Sequence, residues 1–339
     1  MKRRILPSIT ISTILSFYCN VLPGQTHNDL PFSKNEGTRV TFYYRDNNVV
    51  LHTGELTKSI PLPYRNIYSY SDPVLEKNKE KLYITASSRD VVNDCWNYFI
   101  FSINFNGNIE DTIYSAPKCI DIAHFSVSPD DSLILITEFN HFDWITCTGN
   151  GGKEGWVEKS FEHLILKIST GSVIQTISFS GFLFLDRLHG SMWSPDSKKV
   201  LISKRPLKNN CETYEKSTPE ELYVYDLVSK QKQFISCCSN FSWSPEQQNI
   251  ICYSKHSGTY LFNINTLEED PVISLPDHSI KNVMWAPDGT TLLVQHFKIL
   301  KREKIVTGDH AERDYYLLIN TISKKKKTYR GYYDIQTWQ

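Results

Sequence analysis

The segment Met192-Trp193-Ser194-Pro195-Asp196 is followed by a short polar turn and an apolar strand, Val200–Ser203. Proline presets φ for a turn, and the Asp side chain bonds its own backbone two residues on, so the pattern predicts a β-hairpin. Three other segments repeat it: Phe125-Ser126-Val127-Ser128-Pro129-Asp130, Ser242-Trp243-Ser244-Pro245-Glu246 and Met284-Trp285-Ala286-Pro287-Asp288. The same hairpin is therefore expected four times.

The spacing of these hairpins indicates the architecture. Their prolines lie at positions 129, 195, 245 and 287, which are 66, 50 and 42 residues apart. A variable period of about 40–50 residues with strands throughout is typical of four-stranded propeller blades. A weaker copy begins at Ile67-Tyr68-Ser69-Tyr70, which makes five blades.

The two ends of the chain supply a sixth blade. Ile335–Trp338 resembles an inner strand with no blade after it, whereas Thr38–Tyr44, Val49–Thr53 and Leu56–Ile60 are three strands without an inner partner. We therefore predict an all-β fold, a six-bladed β-propeller of four-stranded antiparallel blades. Pairing of Ile335–Trp338 with Thr38–Tyr44 is expected to close the ring.

The first residues have the features of a targeting segment. Met1-Lys2-Arg3-Arg4 is basic, Ile5–Phe17 is uncharged, and a small-residue exit follows at Val21–Gln25. This order predicts a signal peptide over residues 1–24 and a single exported domain over 25–339, periplasmic or secreted. Large residues before Cys19 argue against a lipoprotein anchor, and no stretch reaches the roughly 20 apolar residues of a membrane span.

The net charge and the composition of the sequence limit the kinds of partner that we expect the protein to bind. Lys and Arg number 37, as do Asp and Glu, so the formal net charge is zero. A nucleic-acid binder needs a basic surface to displace counterions from phosphates, so we predict no nucleic-acid partner. Aromatic residues reach 13%, which favours strands.

The Trp-Ser-Pro-Asp hairpins resemble the repeats of the TolB-like, WD-repeat-like six-bladed propellers, over nearly the whole chain after residue 24. They also resemble the propellers that precede the catalytic domain of prolyl-oligopeptidase-type peptidases. The chain has no room for the α/β domain that TolB carries, and it contains no Gly-x-Ser-x-Gly pentapeptide. The resemblance therefore implies the fold and neither activity.

Long insertions predict where a ligand would bind. They fall between the second and third strands of four blades, at Ser88–Asn97, Glu138–His163, Lys204–Glu220 and His296–Asp314, and so lie on one face of a propeller. Loops on a rigid scaffold concentrate binding residues, and Trp and Arg are frequent at binding hot spots. The candidate binding residues are Trp96, His141, Asp143, Trp144, Trp156, Lys204, Arg205, His296 and Lys298.

Two functions follow from this arrangement. The first is an exported, monomeric, non-catalytic protein that binds a protein, a peptide or a surface glycan. The alternative for its Trp residues is that they only anchor their own loops. The second is a lactonase-like hydrolase or lyase with a polar site at the channel mouth. Carboxylates or His side chains about 4–6 Å apart with shifted pKa values would favour the enzyme.

Metal binding has weak support. Asp130, Asp196 and Asp288 are expected to cap their turns rather than form a ring of metal ligands. The inner strands lack the convergent carboxylates that a hard cation needs, so we predict no metal and no cofactor.

Three cysteines fall in the long insertions of successive blades. They are Cys95, Cys147 and Cys211, whereas Cys119, Cys237, Cys238 and Cys252 lie on or beside inner hairpins. Export permits oxidation, so we predict one disulfide that joins Cys147 to Cys95 or to Cys211. The alternative is three unpaired cysteines in a protein that is not exported.

Overall fold

The computed structural model describes most of the chain between residues 40 and 330, and these residues form strands and turns only. No helix of the length and apolarity needed to cross a membrane occurs in this part of the chain. The ranges left undescribed are 1–39, 46–47, 54–55, 62–68, 71–73, 77–80, 91, 94, 141–143, 149–153, 159, 181–191, 205–219, 239, 256–257, 277, 287, 299–313 and 331–339.

Six antiparallel sheets follow one another along the described chain. Sheet 1 contains β1 (Val40–Arg45), β2 (Asn48–Thr53) and β3 (Leu56–Pro61). Sheet 2 contains β4 (Ser69–Tyr70), β5 (Val74–Leu75), β6 (Lys81–Asp90), β7 (Cys95–Asn104) and β8 (Ile109–Ser115). Sheet 3 contains β9 (Ile120–Val127), β10 (Leu133–Asn140), β13 (Ser160–Lys167) and β14 (Ser172–Ser180). A separate hairpin of β11 (Trp144–Thr148) and β12 (Glu154–Glu158) is inserted in sheet 3 between β10 and β13.

The other three sheets have the same order of strands. Sheet 4 contains β15 (Lys199–Lys204), β16 (Glu220–Asp226) and β17 (Lys232–Cys238). Sheet 5 contains β18 (Asn240–Trp243), β19 (Ile250–Lys255), β20 (Gly258–Asn263) and β21 (Glu268–Ser274). Sheet 6 contains β22 (His278–Trp285), β23 (Thr291–Lys298), β24 (Asp314–Asn320) and β25 (Lys326–Arg330). In sheet 4 an isolated bridge from Trp193 to Val200 takes the place of a first strand. The all-β prediction with four-stranded antiparallel sheets is confirmed. Pairing of Ile335–Trp338 falls outside the described residues and stays a prediction.

The core lies between successive sheets rather than inside any one of them. Second strands alternate their apolar side chains, so Ile134 and Ile136 pack against sheet 2, whereas Leu135 packs towards sheet 4. The same alternation places Val200 against sheet 3 and Leu201 against sheet 5. Sheets 3 and 4 therefore each bury one apolar face on their predecessor and one on their successor, which is the packing of propeller blades.

The repeated Asp residues cap the turns between first and second strands. Asp130 accepts backbone hydrogen bonds from Ser132 at 3.1 Å, and Asp196 accepts one from Lys198 at 3.2 Å. Asp288 does the same for Thr290 at 2.8 Å. These bonds satisfy the turn backbone, so the capping interpretation is confirmed for these three residues.

The turns between third and fourth strands share a backbone feature that the sequence conceals. In five sheets one residue of this turn has a left-handed conformation, with φ between +56° and +83°. These residues are Gly107, Gly171, Lys230, Leu267 and Lys324. Glycine adopts this conformation without a steric penalty, whereas other L-residues lose about 1–2 kcal/mol. Leu267 is also 61% exposed, so its side chain contributes little packing.

Substitutions at this one turn position should therefore have opposite signs. Leu267→Gly should raise the free energy of unfolding by about 0.5–1 kcal/mol because it relieves the positive φ. Gly171→Ala should lower it by about 1–3 kcal/mol, because the added Cβ lies 2.8 Å from the Ile113 carbonyl oxygen and φ is +63°. Urea unfolding of both variants measures this, and changes of the same sign would contradict it.

Two of the predicted loops are strands. Ser88–Asn97 is the end of a long hairpin in which Ser88 pairs with Asn97 and Asp90 with Cys95. Much of the Glu138–His163 insertion is strand as well, since β10 and β13 extend into it and β11 and β12 occupy its centre. The polar side chains suggested loops, but alternating polar residues also suit strands that extend beyond the core.

The predicted pairing of Cys95 is wrong. Cys95 forms a disulfide with Cys119, with their Cα atoms 5.3 Å apart. Cys119 precedes β9 in the connection from sheet 2, so the bond joins a hairpin end to the next connection rather than two neighbouring insertions. Cys147 lies in β11 and Cys211 falls outside the described residues, so a bond between these two stays a prediction.

Candidate functional site

The described candidate binding residues lie on three different sheets. Trp96, Lys204 and His296 lie on sheets 2, 4 and 6. Lys204 forms an ion pair with Glu221 (Nζ to Oε2, 3.4 Å), and its Nζ also lies 5.8 Å from the centre of the Tyr223 ring. His141, Asp143 and Arg205 fall outside the described residues, and of Trp144, Trp156 and Lys298 only the backbone in β11, β12 and β23 is described.

His296 is a strand residue and not a loop residue as predicted. It is 5% exposed and stacks on Tyr315, with ring centres 5.5 Å apart. His278 meets the same imidazole edge-on at 4.9 Å. These contacts make His296 part of a packed aromatic group on sheet 6.

The second strands of five sheets share a position with a buried polar side chain. The residue after this position marks a candidate site that differs from the one predicted from the insertions. After the apolar run, each strand has a buried polar residue at the same position: Thr85, Thr137, Ser203, Ser254 or Gln295. The residue that follows varies, and it is Ala86, Glu138, Lys204, Lys255 or His296. Sheet 3 is thus the one among these five with a carboxyl group here.

The partner of this residue on the third strand is a second carboxyl group. Glu138 on β10 stands directly opposite Glu162 on β13. The equivalent pair in sheet 4 is Lys204 and Glu221, which carry opposite charges. Directly opposite residues on antiparallel strands have Cβ atoms about 4.5–5.5 Å apart, so the two Glu side chains of sheet 3 repel each other when both are ionised.

The environment of Glu138 favours its neutral form. The side chain continues the face of Ile134 and Ile136 towards sheet 2 and is 6% exposed. Burial, and then the charge of Glu162, raises the pKa of Glu138 from its ordinary 4.5 to about 7. The Tyr114 side chain on β8 acts in the opposite direction and lowers the pKa of Glu138.

Glu162 lies in a wetter environment. It is exposed, and its Oε1 accepts a hydrogen bond from the Ser178 hydroxyl at 2.9 Å. The pair therefore combines a buried carboxyl group that holds a proton near neutral pH with an exposed one. Environments that separate two carboxyl groups in this way are typical of an acid–base pair.

Sheets 2 and 3 carry two further buried or half-buried polar groups. Asp121, at the start of β9, is 5% exposed and stands opposite Phe139, the residue after Glu138. Burial, and then the charge of Asp121, raises the pKa of Tyr98 on β7. The side chains that act on the Glu138 carboxyl group are Tyr114 from sheet 2 and Glu162 from sheet 3.

The opposite face of β10 carries a structural contact. Thr137 Oγ1 and His163 Nδ1 lie 2.9 Å apart, and both side chains are buried. Burial, and then the charge of His124, lowers the pKa of His163 to about 3, so this imidazole stays neutral. No three His, Cys, Asp or Glu side chains in the described part of the chain converge so that they could hold a metal ion.

In the sequence, Glu138 and His163 are only the limits of an insertion, and Glu162 lies inside it without a motif of its own. A signal was nevertheless present. The second strands can be aligned at their buried polar residue. Glu138 in Ile136-Thr137-Glu138 then takes the position of two basic residues, Lys204 in Ile202-Ser203-Lys204 and His296 in Val294-Gln295-His296. The opposing residue depends on strand register, which a hairpin with a long insertion does not reveal.

No protein-family model matches the sequence, and no curated protein sequence matches it. Among solved structures, a chimera of the apocarotenoid oxygenase ACO and RPE65 gives a TM-score of 0.54 at 10% identity, over 88% of this chain and 72% of the chimera. A variant of the Synechocystis apocarotenoid oxygenase gives 0.50 at 12% identity, over 88% and 72%. An oligogalacturonate lyase in complex with manganese gives 0.49 at 11% identity, over 86% and 72%.

The two oxygenase structures share the fold of this chain at identities too low to indicate a shared activity. Together with the sheet-on-sheet packing, this similarity shows that the chain has an all-β, propeller-type fold.

Proposed function

We propose that this protein is an enzyme, a hydrolase or lyase in which Glu138 and Glu162 act as the acid–base pair. The observation that carries the proposal is their placement directly opposite each other, with Glu138 buried and Glu162 exposed. Perturbed carboxyl groups of this kind concentrate at catalytic sites. Within the described residues, no observation favours non-catalytic binding over this chemistry, so the order of the two sequence-based expectations is reversed.

The two carboxyl groups divide the proton transfers between them. Protonated Glu138 donates its proton to the leaving oxygen as the bond to that oxygen breaks. Ionised Glu162 takes a proton from the attacking water in a hydrolysis, or from the carbon next to the breaking bond in an elimination. The pair ends with the proton on Glu162 instead of Glu138, and exchange with solvent restores the starting state.

The proposal retains the sequence-based expectations about the rest of the molecule. The ring has six TolB-like blades closed by the C-terminal strand, and the chain is exported as a monomer after cleavage near residue 24. The insertions between second and third strands lie on the same side as the acid–base pair, since Glu138 is near the end of β10 where the β11–β12 hairpin begins. Trp144 and Trp156 on that hairpin are then candidates for substrate binding.

A substrate screen with a pH profile tests the proposal. The chain from residue 25 onward is assayed against lactones, esters and oligosaccharides between pH 4 and pH 9. We expect turnover with one substrate class, with an activity that declines above about pH 7 as Glu138 loses its proton. An activity that remains constant from pH 5 to pH 9 would contradict the role of Glu138 as the acid.

A further inference from the structure

The outer strand of sheet 3 differs in composition from those of the other sheets. Strand β14 pairs with β13 and with no other strand in the described part of the chain, so its second side is an edge of the sheet. Its nine residues, SVIQTISFS, include no charged residue and no proline. Proteins usually protect an edge with charges, proline or a short strand, because an unprotected edge can pair with a strand of another chain.

The outer strands of the other five sheets carry this protection. Each of them contains charged residues, and two contain proline as well. The residues are Lys58 and Pro61 in β3, Glu110 and Asp111 in β8, Lys232 in β17, Glu268, Glu269, Asp270 and Pro271 in β21, and Lys326, Lys327 and Arg330 in β25. β14 is also the longest of the six strands. Among the described sheets, sheet 3 is therefore the one with an unprotected outer edge.

The residues of β14 are well suited to a further strand pair. Val173, Ile174 and Thr176 are β-branched, and β-branched residues favour strands. Val173 is 46% exposed and Ile174 is 50% exposed, so part of the apolar surface of this strand faces solvent. A β-bulge interrupts the pairing with β13 at Ile174, but similar bulges occur in β17 and β21. The missing charges, and not the bulge, therefore distinguish β14.

The charge pattern indicates which chain fits this edge. When two copies of one strand pair antiparallel about a two-fold axis, each side chain meets a side chain of the same strand. In β21 or β25 such pairing would bring several like charges close together, and like charges destabilise a strand pair. In β14 no charges meet, so uncharged side chains can pack against one another. β14 is therefore complementary to a second copy of itself, whereas β21 and β25 are not.

We propose that β14 is a homodimer interface, at which two copies of this chain pair antiparallel and join their four-stranded sheets 3 into one continuous sheet. This interface is independent of the proposed function. One strand from each copy makes a small contact, so the association should be reversible, with a dissociation constant in about the micromolar range. The monomer expected from the sequence then describes the dilute protein.

Sedimentation equilibrium of the chain from residue 25 onward tests the pairing. Between about 1 µM and about 100 µM, the weight-average mass should rise from the monomer value towards twice that value. At the higher concentration, amide hydrogen exchange measured by mass spectrometry should slow in β14, because its outward N–H groups become hydrogen-bonded. Exchange in β21, which has a protected edge, should not depend on concentration.

Charge variants of one residue identify the edge. Thr176 is exposed and is the middle residue of β14, so pairing along the whole strand places it opposite its own copy. Thr176→Lys and Thr176→Glu should each raise the dissociation constant at least about tenfold, because like charges then meet. An equimolar mixture of the two variants should restore the association, since Lys meets Glu. Gln233→Lys, at an exposed position of β17, is the matched control and should leave the association unchanged.

The other outcomes would each overturn the β14 interface without affecting the proposed function. Wild-type protein that stays monomeric at the highest concentration would do so, even if a strand of a different protein binds this edge. Association that persists in both Thr176 variants would show that the copies meet elsewhere. Loss of association in Gln233→Lys as well would show a general effect of added charge. Should a Thr176 variant fail to fold, concentration-independent exchange in wild-type β14 would overturn the interface by itself.

Discussion

Replacing Trp243 with Ala should lower the free energy of unfolding by about 3–5 kcal/mol. Trp243 ends β18, is fully buried and packs in the apolar cluster between sheets 4 and 5. Removal of the indole ring leaves a cavity that two sheets line, and neither sheet can close it without separating from its other neighbour. Since whole domains are stable by only about 5–15 kcal/mol, this one change should bring the fold near its limit.

Conservative variants separate packing from hydrogen bonding at this repeat position. Trp243 Nε1 is buried and has no hydrogen-bond partner among the described residues, so Trp243→Phe loses no bond and should cost about half of the Ala change or less. Trp193 Nε1 donates to the Ser126 carbonyl at 3.2 Å, so Trp193→Phe should cost about 1 kcal/mol more than Trp243→Phe. Urea unfolding of the variants measures each cost. A Trp243→Ala loss below 1 kcal/mol would contradict the packing argument.

Glu138→Gln should reduce turnover by about 10²- to 10⁴-fold, the usual contribution of a general acid or base. Gln has nearly the same shape and cannot release a proton, so substrate binding should change little and the loss should fall on kcat. Glu110→Gln on the exposed strand β8 is the matched control and should leave kcat unchanged. Loss of less than threefold in the Glu138 variant would show that another group supplies the proton.

The same substitution should change how stability depends on pH. Below about pH 4.5, Glu138 is protonated in both the folded and the unfolded chain, so it adds no pH dependence there. Between about pH 4.5 and pH 7 the unfolded chain releases this proton while the folded protein keeps it, so the free energy of unfolding falls across this range, and above about pH 7 the folded protein carries a buried charge. Gln avoids this loss, so the variant should be more stable than wild type by about 1–2 kcal/mol at pH 8, after allowance for solvent screening. Thermal unfolding at pH 4 and pH 8 measures the difference, which a pH-independent effect would contradict.

The hairpins could be predicted because their determinants are local. Pro195 and Asp196 act within four residues, and the Asp bonds seen in three turns involve the residues that the sequence places two positions on. The left-handed residue of the turn between third and fourth strands could not be predicted in the same way. The register of the strands on both sides imposes the left-handed conformation on Lys230, Leu267 and Lys324, although non-glycine residues disfavour positive φ.

The burial of Glu138 and the disulfide depend on contacts beyond a single hairpin. Glu138 continues the face of β10 that packs against sheet 2, and Cys95 on sheet 2 meets Cys119 in the connection that leads to sheet 3. Neither contact has a local signature. The insertions were interpreted as loops because they are polar, but β6 and β7 continue their pairing to Asp90 and Cys95 beyond the apolar core.

Shared cores between sheets also determine how the chain can assemble. Each sheet completes an apolar core only with the sheets next to it, so its stability depends directly on those neighbours alone. The described sheets therefore stabilise one another in series, as the units of a linear repeat protein do. During synthesis, sheet 4 exposes Leu201 until Trp243 of sheet 5 emerges to cover it. A defect in an interior sheet should therefore break two couplings and stall folding in both directions, whereas a defect in a terminal sheet breaks one. Chaperone demand should accordingly be greatest for variants in sheets 2 to 5.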